Sequence, residues 1–475
     1  MVGAPVRHVA RNSDFDSVRI AVIGMGVTGR AVSAALAAHT GAEVSEWDGR
    51  GDDAGAKLLT PEALLEWRPD IAVVSPGIPA VGDIYEALTA YKIPIWSEIE
   101  LAWHLRSRDE NGEAAPWLAI TGTNGKTTTV QMTAAMANEA GFDARAVGNV
   151  GDPLITSVTD EEGPNLIALE LSSFQLHSTH SMSPLAAGCL NIADDHLDWH
   201  GSREAYRAAK ARVYENTRVA CLYPTADPVV SAMVEDADVI EGARAIGLTM
   251  GVPAPGQIGL VEDIVAERAF GPERFHSANE LFRVSDLQHL SHGGVPVHLV
   301  QDAMMAAGLV RAAGAAPESV QRALASFSLG GHRIETVAVH DGITWIDDSK
   351  ATNAHAARAS IWAQADGSVV WIVGGVLKGA RLDSLVADVA SKLKGAVVIG
   401  TDQQPVVEAL KSQAPGVPVT VIPPSSDKVM SDAVEAARRH AGQAAVVMLA
   451  PACASWDQFT SYADRGQQFA RAVLE

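Results

Sequence analysis

A glycine-rich loop, Thr121–Thr127, contains the residue types that hold a nucleoside triphosphate. It reads Thr-Gly-Thr-Asn-Gly-Lys-Thr, follows the apolar run Trp117–Ile120 and leads into a helical stretch. Backbone N–H groups of such a loop can surround phosphates, Lys126 can reach the β- and γ-phosphate oxygens, and the Thr127 hydroxyl can hold Mg²⁺. The strict motif has a glycine where this chain has Ile120, so the loop is a shortened variant. A surface turn is the alternative, but Gly-Lys-Thr between a strand and a helix favours ATP binding.

Two further strand ends carry side chains that suit a metal ion. Glu170 closes the predicted strand Leu166–Leu171, and the acidic turn Asp194–Asp198, which contains His196, follows the predicted strand Ala187–Ile192. Mg²⁺ is a hard cation that prefers oxygen ligands, and a histidine beside acids can serve a metal or act as a general base. Taken alone, these residues are explained equally well as a satisfied charge at a strand end and a solvated acidic turn.

Lys210 lies in the predicted helical stretch Arg203–Asn216. The ordinary interpretation is an exposed lysine on a helix surface. An ammonium group cannot bind a metal ion, and only a carbamate on its nitrogen would convert this side chain into a carboxylate-like ligand.

A second glycine loop, Gly24–Gly29, follows a predicted strand and opens a helix. It reads Gly-Met-Gly-Val-Thr-Gly, and Asp48 ends another strand about 20 residues later, as in dinucleotide-binding folds. Glycines let the backbone approach a phosphate, and the helix N-terminus favours its negative charge. The loop therefore indicates a nucleotide-like anion, of which NAD is one candidate, and a tight turn without a ligand is the alternative.

Polar or glycine-rich loops follow three predicted strands near the C-terminus and should converge. They are Asp347–Asn353, Gly374–Gly379 and Pro451–Phe459. In this acidic protein, Lys350, Lys378 and Arg465 would offer positive charge to an acidic substrate, although each lysine is equally well explained as a surface residue. Cys453 is expected to be a small buried residue, because no histidine pairing can be argued for it.

Short β-branched runs alternate with Ala-rich helical stretches along the chain, and these elements must position the loops. This alternation predicts an α/β protein with mainly parallel sheets. In such sheets ligands bind beyond the carboxyl ends of the strands. Polar or glycine-containing stretches at 107–116 and 328–332 divide the chain into three predicted domains, 1–110, 111–331 and 332–475. The predicted strands are Arg19–Ile23, Ile71–Val74, Leu118–Thr121, Leu166–Leu171, Ala187–Ile192, Ile343–Ile346, Val369–Val373, Ala396–Ile399 and Ala445–Leu449.

The bulk composition excludes some partners. The net charge is −21 and no basic run is present, so neither nucleic acid nor an anionic membrane surface is expected as a partner. Three widely spaced cysteines argue against a disulfide framework or a zinc site. The polar start of the chain predicts no secretory signal, and no apolar run is long enough to span a bilayer, so a cytoplasmic location is expected.

The motifs taken together resemble the Mur ligases, in order and over nearly the whole chain. They are TGTNGKTTT (121–129), ELSSFQL (170–176), DDHLDWHGS (194–202), YRAAKARVYEN (206–216), HR (332–333), DDSKATN (347–353) and PACASWDQF (451–459). The resemblance implies an N-terminal Rossmann-like domain for a UDP-linked substrate, a central ATPase domain of the P-loop type and a C-terminal Rossmann-like domain. ELSSFQL with PACASWDQF is similar to the branch of the family that adds D-glutamate.

This resemblance implies an ATP-dependent ligase of peptidoglycan precursor synthesis that joins D-glutamate to UDP-N-acetylmuramoyl-L-alanine. ATP would phosphorylate the substrate carboxylate, and the amine of D-glutamate would attack the acyl phosphate to give a tetrahedral intermediate. Two Mg²⁺ sites and a monomeric enzyme are expected.

The resemblance also implies roles for residues at matching positions. The catalytic group is Lys126, Glu170, His196, Lys210 and Lys350. ATP would be bound by Gly122, Thr123, Asn124, Gly125, Lys126, Thr127, Thr128, Arg333 and Asp348. The UDP-linked substrate would be bound by Val27, Thr28, Asp48, Arg50, Gly77, Asn149 and His196. D-Glutamate would be bound by Thr352, Lys378, Ser455 and Tyr462. The metal ligands would be Thr127, Glu170, His196 and a carbamylated Lys210.

Two departures and three alternatives accompany these expectations. The stretch His298–Asp302 lacks the asparagines that the family usually has where adenine is bound, and the usual GGDGK loop is GGVLK at 374–378. A sister ligase would share the ATP loop and differ in its amino acid or acceptor. A nicotinamide-dependent oxidoreductase would use the first glycine loop and leave Lys126 without a role. An ATPase switch would hydrolyse ATP without an amino acid.

Overall fold

The computed structural model describes residues 12–49, 56–291, 294–328, 331–332, 334–377, 380–442 and 445–475. The chain divides into two compact units, one comprising Met1–Asp286 with Gln301–Phe327 and the other Leu287–Val300 with Ser328–Glu475. Three β-sheets form the framework, so the predicted α/β class with mainly parallel sheets is confirmed. The predicted domain boundaries after residues 110 and 331 stay predictions.

The first sheet has five parallel strands in the order β3-β2-β1-β4-β5. The order changes direction at β1, where the Gly24–Gly29 loop begins, and ligands bind at such switch points in parallel sheets. The strands are β1 (Arg19–Ile23), β2 (Glu43–Asp48), β3 (Lys57–Leu58), β4 (Ile71–Val74) and β5 (Ile95–Trp96). The helices are α1 (Val27–His39), α2 (Pro61–Trp67), α3 (Asp83–Ala90) and α4 (Glu98–Leu105).

The second sheet has nine strands in the order β14-β13-β12-β11-β10-β9-β6-β8-β7. The strands are β6 (Trp117–Thr121), β7 (Ala144–Gly148), β8 (Leu166–Glu170), β9 (Ala186–Cys189), β10 (Ala220–Pro224), β11 (Arg244–Thr249), β12 (Gln257–Val261), β13 (Ile264–Glu267) and β14 (Asn279–Arg283). The helices are α5 (Lys126–Glu139), α6 (Leu154–Val158), α7 (Ser173–His177), α8 (Leu197–His200), α9 (Arg203–Ala211), α10 (Pro228–Glu235), α11 (Val297–Ala312) and α12 (Pro317–Ser326).

Strands β6 to β12 of this sheet are parallel, whereas β13 and β14 are antiparallel. The two residues between β12 and β13, Glu262 and Asp263, can only form a hairpin, because a parallel connection needs a much longer crossover. Glu262 has φ +56°, in the left-handed region that tight turns use.

The third sheet has six strands in the order β15-β16-β20-β17-β18-β19, and all pairs except β15–β16 are parallel. The strands are β15 (Glu335–His340), β16 (Ile343–Asp347), β17 (Val369–Gly374), β18 (Leu393–Ile399), β19 (Val419–Val421) and β20 (Ala445–Leu449). The helices are α13 (Ala354–Trp362), α14 (Asp383–Val389), α15 (Gln404–Gln413), α16 (Val429–Ala441) and α17 (Tyr462–Leu474). Among the described residues, no helix has the length and apolar character needed to cross a bilayer.

Helix α4 links the first sheet to the second through two buried glutamates. Glu98 accepts a hydrogen bond from the backbone N–H of Ile155 at 2.8 Å, at the N-terminus of α6. Glu100 accepts hydrogen bonds from the backbone N–H groups of His180 at 2.7 Å and Ser181 at 3.0 Å. These bonds fix α4 to the start of α6 and to the segment that follows α7.

The two glutamates have opposite pKa shifts. Burial raises the pKa of Glu98 to about 7, against the smaller effect of its backbone hydrogen bonds. For Glu100, burial acts to raise the pKa, but hydrogen bonds from His104, His180 and Ser181 outweigh it and lower the pKa to about 2. Hence the stabilisation linked to Glu98 is complete below pH 4.5 and is lost as the pH rises through 7. For Glu100 it is present above pH 4.5 and is lost as the pH falls through 2.

We expect Glu98→Gln to increase the free energy of unfolding at pH 8 by about 1–3 kcal/mol, because the amide keeps an acceptor for Ile155 and carries no buried charge. The gain should nearly disappear at pH 5. Denaturant titrations at both pH values measure it, and Glu100→Gln is the matched control, which should destabilise the protein at pH 8. A Glu98→Gln variant that is less stable than the parent at pH 8 would contradict the assignment.

Candidate active site

The phosphate-binding loop lies between β6 and α5. Gly125 precedes the helix with φ +83°, a conformation that favours glycine. Asn191 stabilises the loop through two hydrogen bonds. Its side-chain oxygen accepts a bond from the N–H of Asn124 at 2.9 Å, and its backbone carbonyl accepts one from the N–H of Thr123 at 3.0 Å. Lys126 donates to the carbonyl of Thr123 at 3.0 Å. The ATP-binding residues predicted at 122–128 therefore form one continuous loop and helix start.

Glu170 lies at the end of β8, beside the strand that leads into this loop, and is only 2% exposed. Its Oε1 accepts a hydrogen bond from the side-chain amide of Asn149 at 3.0 Å. Its buried Oε2 has no hydrogen-bond partner among the described residues. A buried carboxylate oxygen without a partner is costly unless a cation compensates it. The residues present thus fit a divalent cation at Glu170.

Lys210 is buried, so its interpretation as an exposed helix lysine is wrong. Its Nζ donates to the carbonyl of Gly122 at 2.8 Å and to Oγ1 of Thr121 at 3.2 Å. The pKa of Lys210 is lowered to about 7, first by burial and then by the charge of Lys126. Burial and the neighbouring charge of Lys126 therefore favour the unprotonated form of this amine.

The spacing of apolar residues around Lys210 indicates a buried position, although a lysine is usually exposed. Tyr206, Ala209 and Val213 are all buried, and their spacing places Lys210 on the apolar side of the helix. Tyr206 was not among the predicted site residues. Its hydroxyl lies 3.0 Å from Oγ1 of Thr123, and its ring lies 5.1 Å from Nζ of Lys210.

His196 precedes α8 in the left-handed conformation, with φ +54°. Its Nε2 lies 3.5 Å from Oδ2 of Asp195, and its ring centroid lies 4.6 Å from that of Phe174. Asp194 instead pairs with Arg203 at the surface. In the acidic turn, Asp194 thus forms a surface ion pair, whereas Asp195 contacts His196.

The first glycine loop is built for close approach of backbone. The N–H of Met25 donates to Oδ2 of Asp48 at 2.8 Å, and Oγ of Ser75 donates to the carbonyl of Gly24 at 2.7 Å. A Cβ at Gly29 would lie 2.1 Å from the carbonyl oxygen of Gly24, so a larger residue cannot fit there. The loop thus joins the ends of β1, β2 and β4.

Several of the predicted UDP-binding residues lie in this loop or after a neighbouring strand. Val27 is 68% exposed, Thr28 is half-exposed, and Gly77 is exposed at the end of β4. The helix N-terminus at Val27 is consequently open to a ligand. Arg50 lies outside the described residues.

In the second unit, the three C-terminal loops converge as predicted. The N–H of Asp348 donates to the carbonyl of Leu449 at 2.9 Å, and the N–H of Ala452 donates to the carbonyl of Ala351 at 2.9 Å. Val376 and Ala454 exchange backbone hydrogen bonds of 2.9 and 3.0 Å. Cys453 is buried, as predicted. Lys378 and Arg333 lie outside the described residues.

Arg465 is fully buried, so the expectation that its charge faces a substrate is wrong. Its guanidinium donates to Oγ of Ser349 at 2.9 Å, to the Ser349 carbonyl at 2.8 Å and to the Cys453 carbonyl at 3.1 Å. Burial lowers its pKa to about 10. Arg465 thereby joins the loops after β16 and β20.

The remaining predicted residues of this unit lie along the same two loops. Nζ of Lys350 lies 5.5 Å from the ring centroid of Tyr462, which is 37% exposed. Asp348 is buried and accepts the Ser360 hydroxyl at 2.5 Å. Thr352 is partly exposed and Ser455 is buried. Their assignment to nucleotide or D-glutamate stays a prediction.

Comparison with known proteins defines the class. Residues 120–246 match the model of the Mur ligase middle domain, and residues 332–453 match the model of the Mur ligase glutamate ligase domain. The fold is similar to that of the MurF ligase from Thermotoga maritima in complex with ADP, with a TM-score of 0.56 and 16% identity over 99% of this chain and 98% of that chain. The chain belongs to the Mur ligase family.

Two full-length relatives narrow the comparison. The UDP-N-acetylmuramoylalanine–D-glutamate ligase of Leifsonia xyli subsp. xyli is 44% identical, covering 98% of this chain and 94% of the relative. The enzyme of the same name from Streptomyces coelicolor is also 44% identical, covering 98% of this chain and 99% of the relative.

We expect Gly125→Ala to raise the KM for ATP at least tenfold. The left-handed backbone conformation would cost alanine about 1–3 kcal/mol, and the new Cβ would also clash with its neighbours. The new Cβ would lie 2.3 Å from Oδ1 of Asp302 and 3.0 Å from Cδ1 of Leu190. Gly141→Ala is the matched control, because Gly141 follows the same helix with φ +95° and has open space around it. Steady-state kinetics measure both variants. Equal effects of the two substitutions on the KM for ATP would contradict the steric account of the loop.

Proposed function

We propose that this chain joins D-glutamate to UDP-N-acetylmuramoyl-L-alanine with ATP, in the synthesis of peptidoglycan precursors. The observation that carries this proposal is the identity of 44% with two D-glutamate ligases along nearly the whole chain. The phosphate-binding loop and Glu170 follow neighbouring strands, and Lys210 donates a hydrogen bond to the loop, which supports the proposal. The reaction takes place in the cytoplasm, and the enzyme acts as a monomer.

In the first step, a carboxylate oxygen of the acceptor attacks the γ-phosphorus of ATP, and ADP leaves. The N–H groups of the loop at 122–128 hold the phosphates, and Lys126 moves from the Thr123 carbonyl to the β- and γ-oxygens. Bound Mg²⁺ would offset the repulsion between the two anions. Thr127 and Glu170 would hold one ion, and Glu170, His196 and a carbamylated Lys210 would hold the other.

In the second step, the amine of D-glutamate attacks the acyl carbon, and the tetrahedral intermediate expels phosphate. The C-terminal unit binds the amino acid with Thr352, Lys378, Ser455 and Tyr462, while Lys350 stabilises the transferring phosphate. Arg333 contacts the ATP phosphates and Asp348 contacts the nucleotide. At the other end of the acceptor, the UDP group is held by Val27, Thr28, Asp48, Arg50 and Gly77, and Asn149 contacts the muramoyl group.

The environment of the Lys210 amine supports the proposed carbamate. Only an unprotonated amine adds to CO₂, and burial beside Lys126 lowers the pKa of Lys210 to about 7. The carbamate is an anion that would replace the hydrogen bonds to the Gly122 carbonyl with contacts to a cation. A buried ammonium is thereby exchanged for an oxygen ligand.

The substrate requirement for phosphate release tests the proposed reaction. Phosphate should be released from ATP and Mg²⁺ only when UDP-N-acetylmuramoyl-L-alanine and D-glutamate are both present, with L-glutamate, L-lysine and diaminopimelate as controls. Release with another amino acid would assign a sister ligase activity. Release that is indifferent to both substrates would overturn the proposal in favour of an ATPase switch.

We expect Lys210→Ala to lower kcat roughly 100-fold, because a metal ligand is lost, and short carboxylates such as acetate to restore part of the activity. Lys411→Ala, an exposed helix lysine, serves as the control and should behave as the parent in the same assay. Unchanged activity of Lys210→Ala would contradict the proposal that a carbamylated Lys210 is a metal ligand. Loss of activity without carboxylate rescue, but with parental activity in Lys210→Arg, would assign the role to the cation instead.

A further inference from the structure

Trp199 contacts the loop at the end of β4. Its indole N–H donates to the carbonyl of Pro76 at 3.1 Å across 123 residues of sequence, and its side chain is buried. Pro76 lies between Gly77, which we assign to the UDP group, and Ser75, whose hydroxyl binds Gly24 in the first glycine loop. One side of Trp199 therefore holds the loops proposed to bind the nucleotide.

The other side of Trp199 contacts the proposed metal site. The Phe174 ring lies between Trp199 and His196, with centroid distances of 4.7 Å and 4.6 Å. The backbone N–H of Trp199 also donates to the carbonyl of His196 at 3.1 Å. Phe174 belongs to α7, which begins three residues after Glu170. All of these residues belong to the same compact unit.

The two sets of contacts differ in kind. Aromatic packing against Phe174 would survive replacement of the indole by another ring. The hydrogen bond to Pro76 would not, because it needs the N–H group, and the carbonyl would be left without this donor. The bond to Pro76 thus ties the nucleotide loop to the rings that support His196.

We propose that Trp199 is a positioning residue that sets the separation between the UDP-binding loops and the metal-binding end of the acceptor site. The proposal rests on the proposed function, since it needs an acceptor that reaches both places. A ligand that spans both places gains from a preset separation, whereas UDP alone occupies one end and does not.

Calorimetric titration of Trp199→Phe tests the proposal. Affinity for UDP-N-acetylmuramoyl-L-alanine should fall about 3- to 10-fold, as expected for one buried hydrogen bond, while affinity for UDP alone stays within about twofold of the parent. The KM for ATP should not change. An equal loss for UDP and for the full acceptor would mean a local effect on the loop and would overturn the proposal, as would parental affinity for both.

Trp371→Phe is the matched control, because its indole N–H also donates to a buried carbonyl, that of Ala450 at 2.7 Å, in the other unit. It should leave affinity for the acceptor unchanged, and a loss equal to that of Trp199→Phe would also overturn the proposal. Failure of the parent protein to bind UDP-N-acetylmuramoyl-L-alanine would instead contradict the proposed function. The two failures are therefore distinguishable.

Discussion

Two lysines donate to successive carbonyls of the phosphate-binding loop, and a carboxylate with one unpartnered oxygen lies beside them. Lys210 binds the Gly122 carbonyl, Lys126 binds the Thr123 carbonyl, and Oε2 of Glu170 is buried without a hydrogen-bond partner among the described residues. A buried carboxylate oxygen that accepts no hydrogen bond from the described residues needs a compensating positive charge. The arrangement of the two lysines and Glu170 fits ATP with a divalent cation.

The surrounding elements keep these charges in place. Parallel strands β6, β8 and β9 end side by side, so that the loop, Glu170 and the turn to His196 meet at one edge of the sheet. Asn149 fixes one oxygen of Glu170, and Tyr206 lies against both the loop and Lys210. In the second unit, Arg465 joins two loops by donating hydrogen bonds to their carbonyls and to a serine hydroxyl.

Much of this arrangement could be predicted because buried parallel strands appear as short apolar runs. The runs at Arg19–Ile23, Ile71–Val74 and Ala445–Leu449 coincide with strands, and predicted site residues follow them. The antiparallel strands β13 and β14 were not predicted, since their segment contains many turn residues and only weak alternation. The ordinary interpretation of Lys210 was an exposed helix lysine, because charged residues usually lie at the surface, and Arg465 was expected to offer its charge to a substrate. Their burial depends on partners that come from distant parts of the chain, which a local pattern does not reveal.

Electron paramagnetic resonance of Mn²⁺ bound to the complex with a non-hydrolysable ATP analogue and UDP-N-acetylmuramoyl-L-alanine tests whether Glu170 is a cation ligand. The account predicts that Glu170→Gln binds fewer Mn²⁺ ions per chain than the parent, or binds them at least tenfold more weakly, because the unpartnered oxygen is a cation ligand. Parental Mn²⁺ stoichiometry and affinity in a folded Glu170→Gln variant would contradict it.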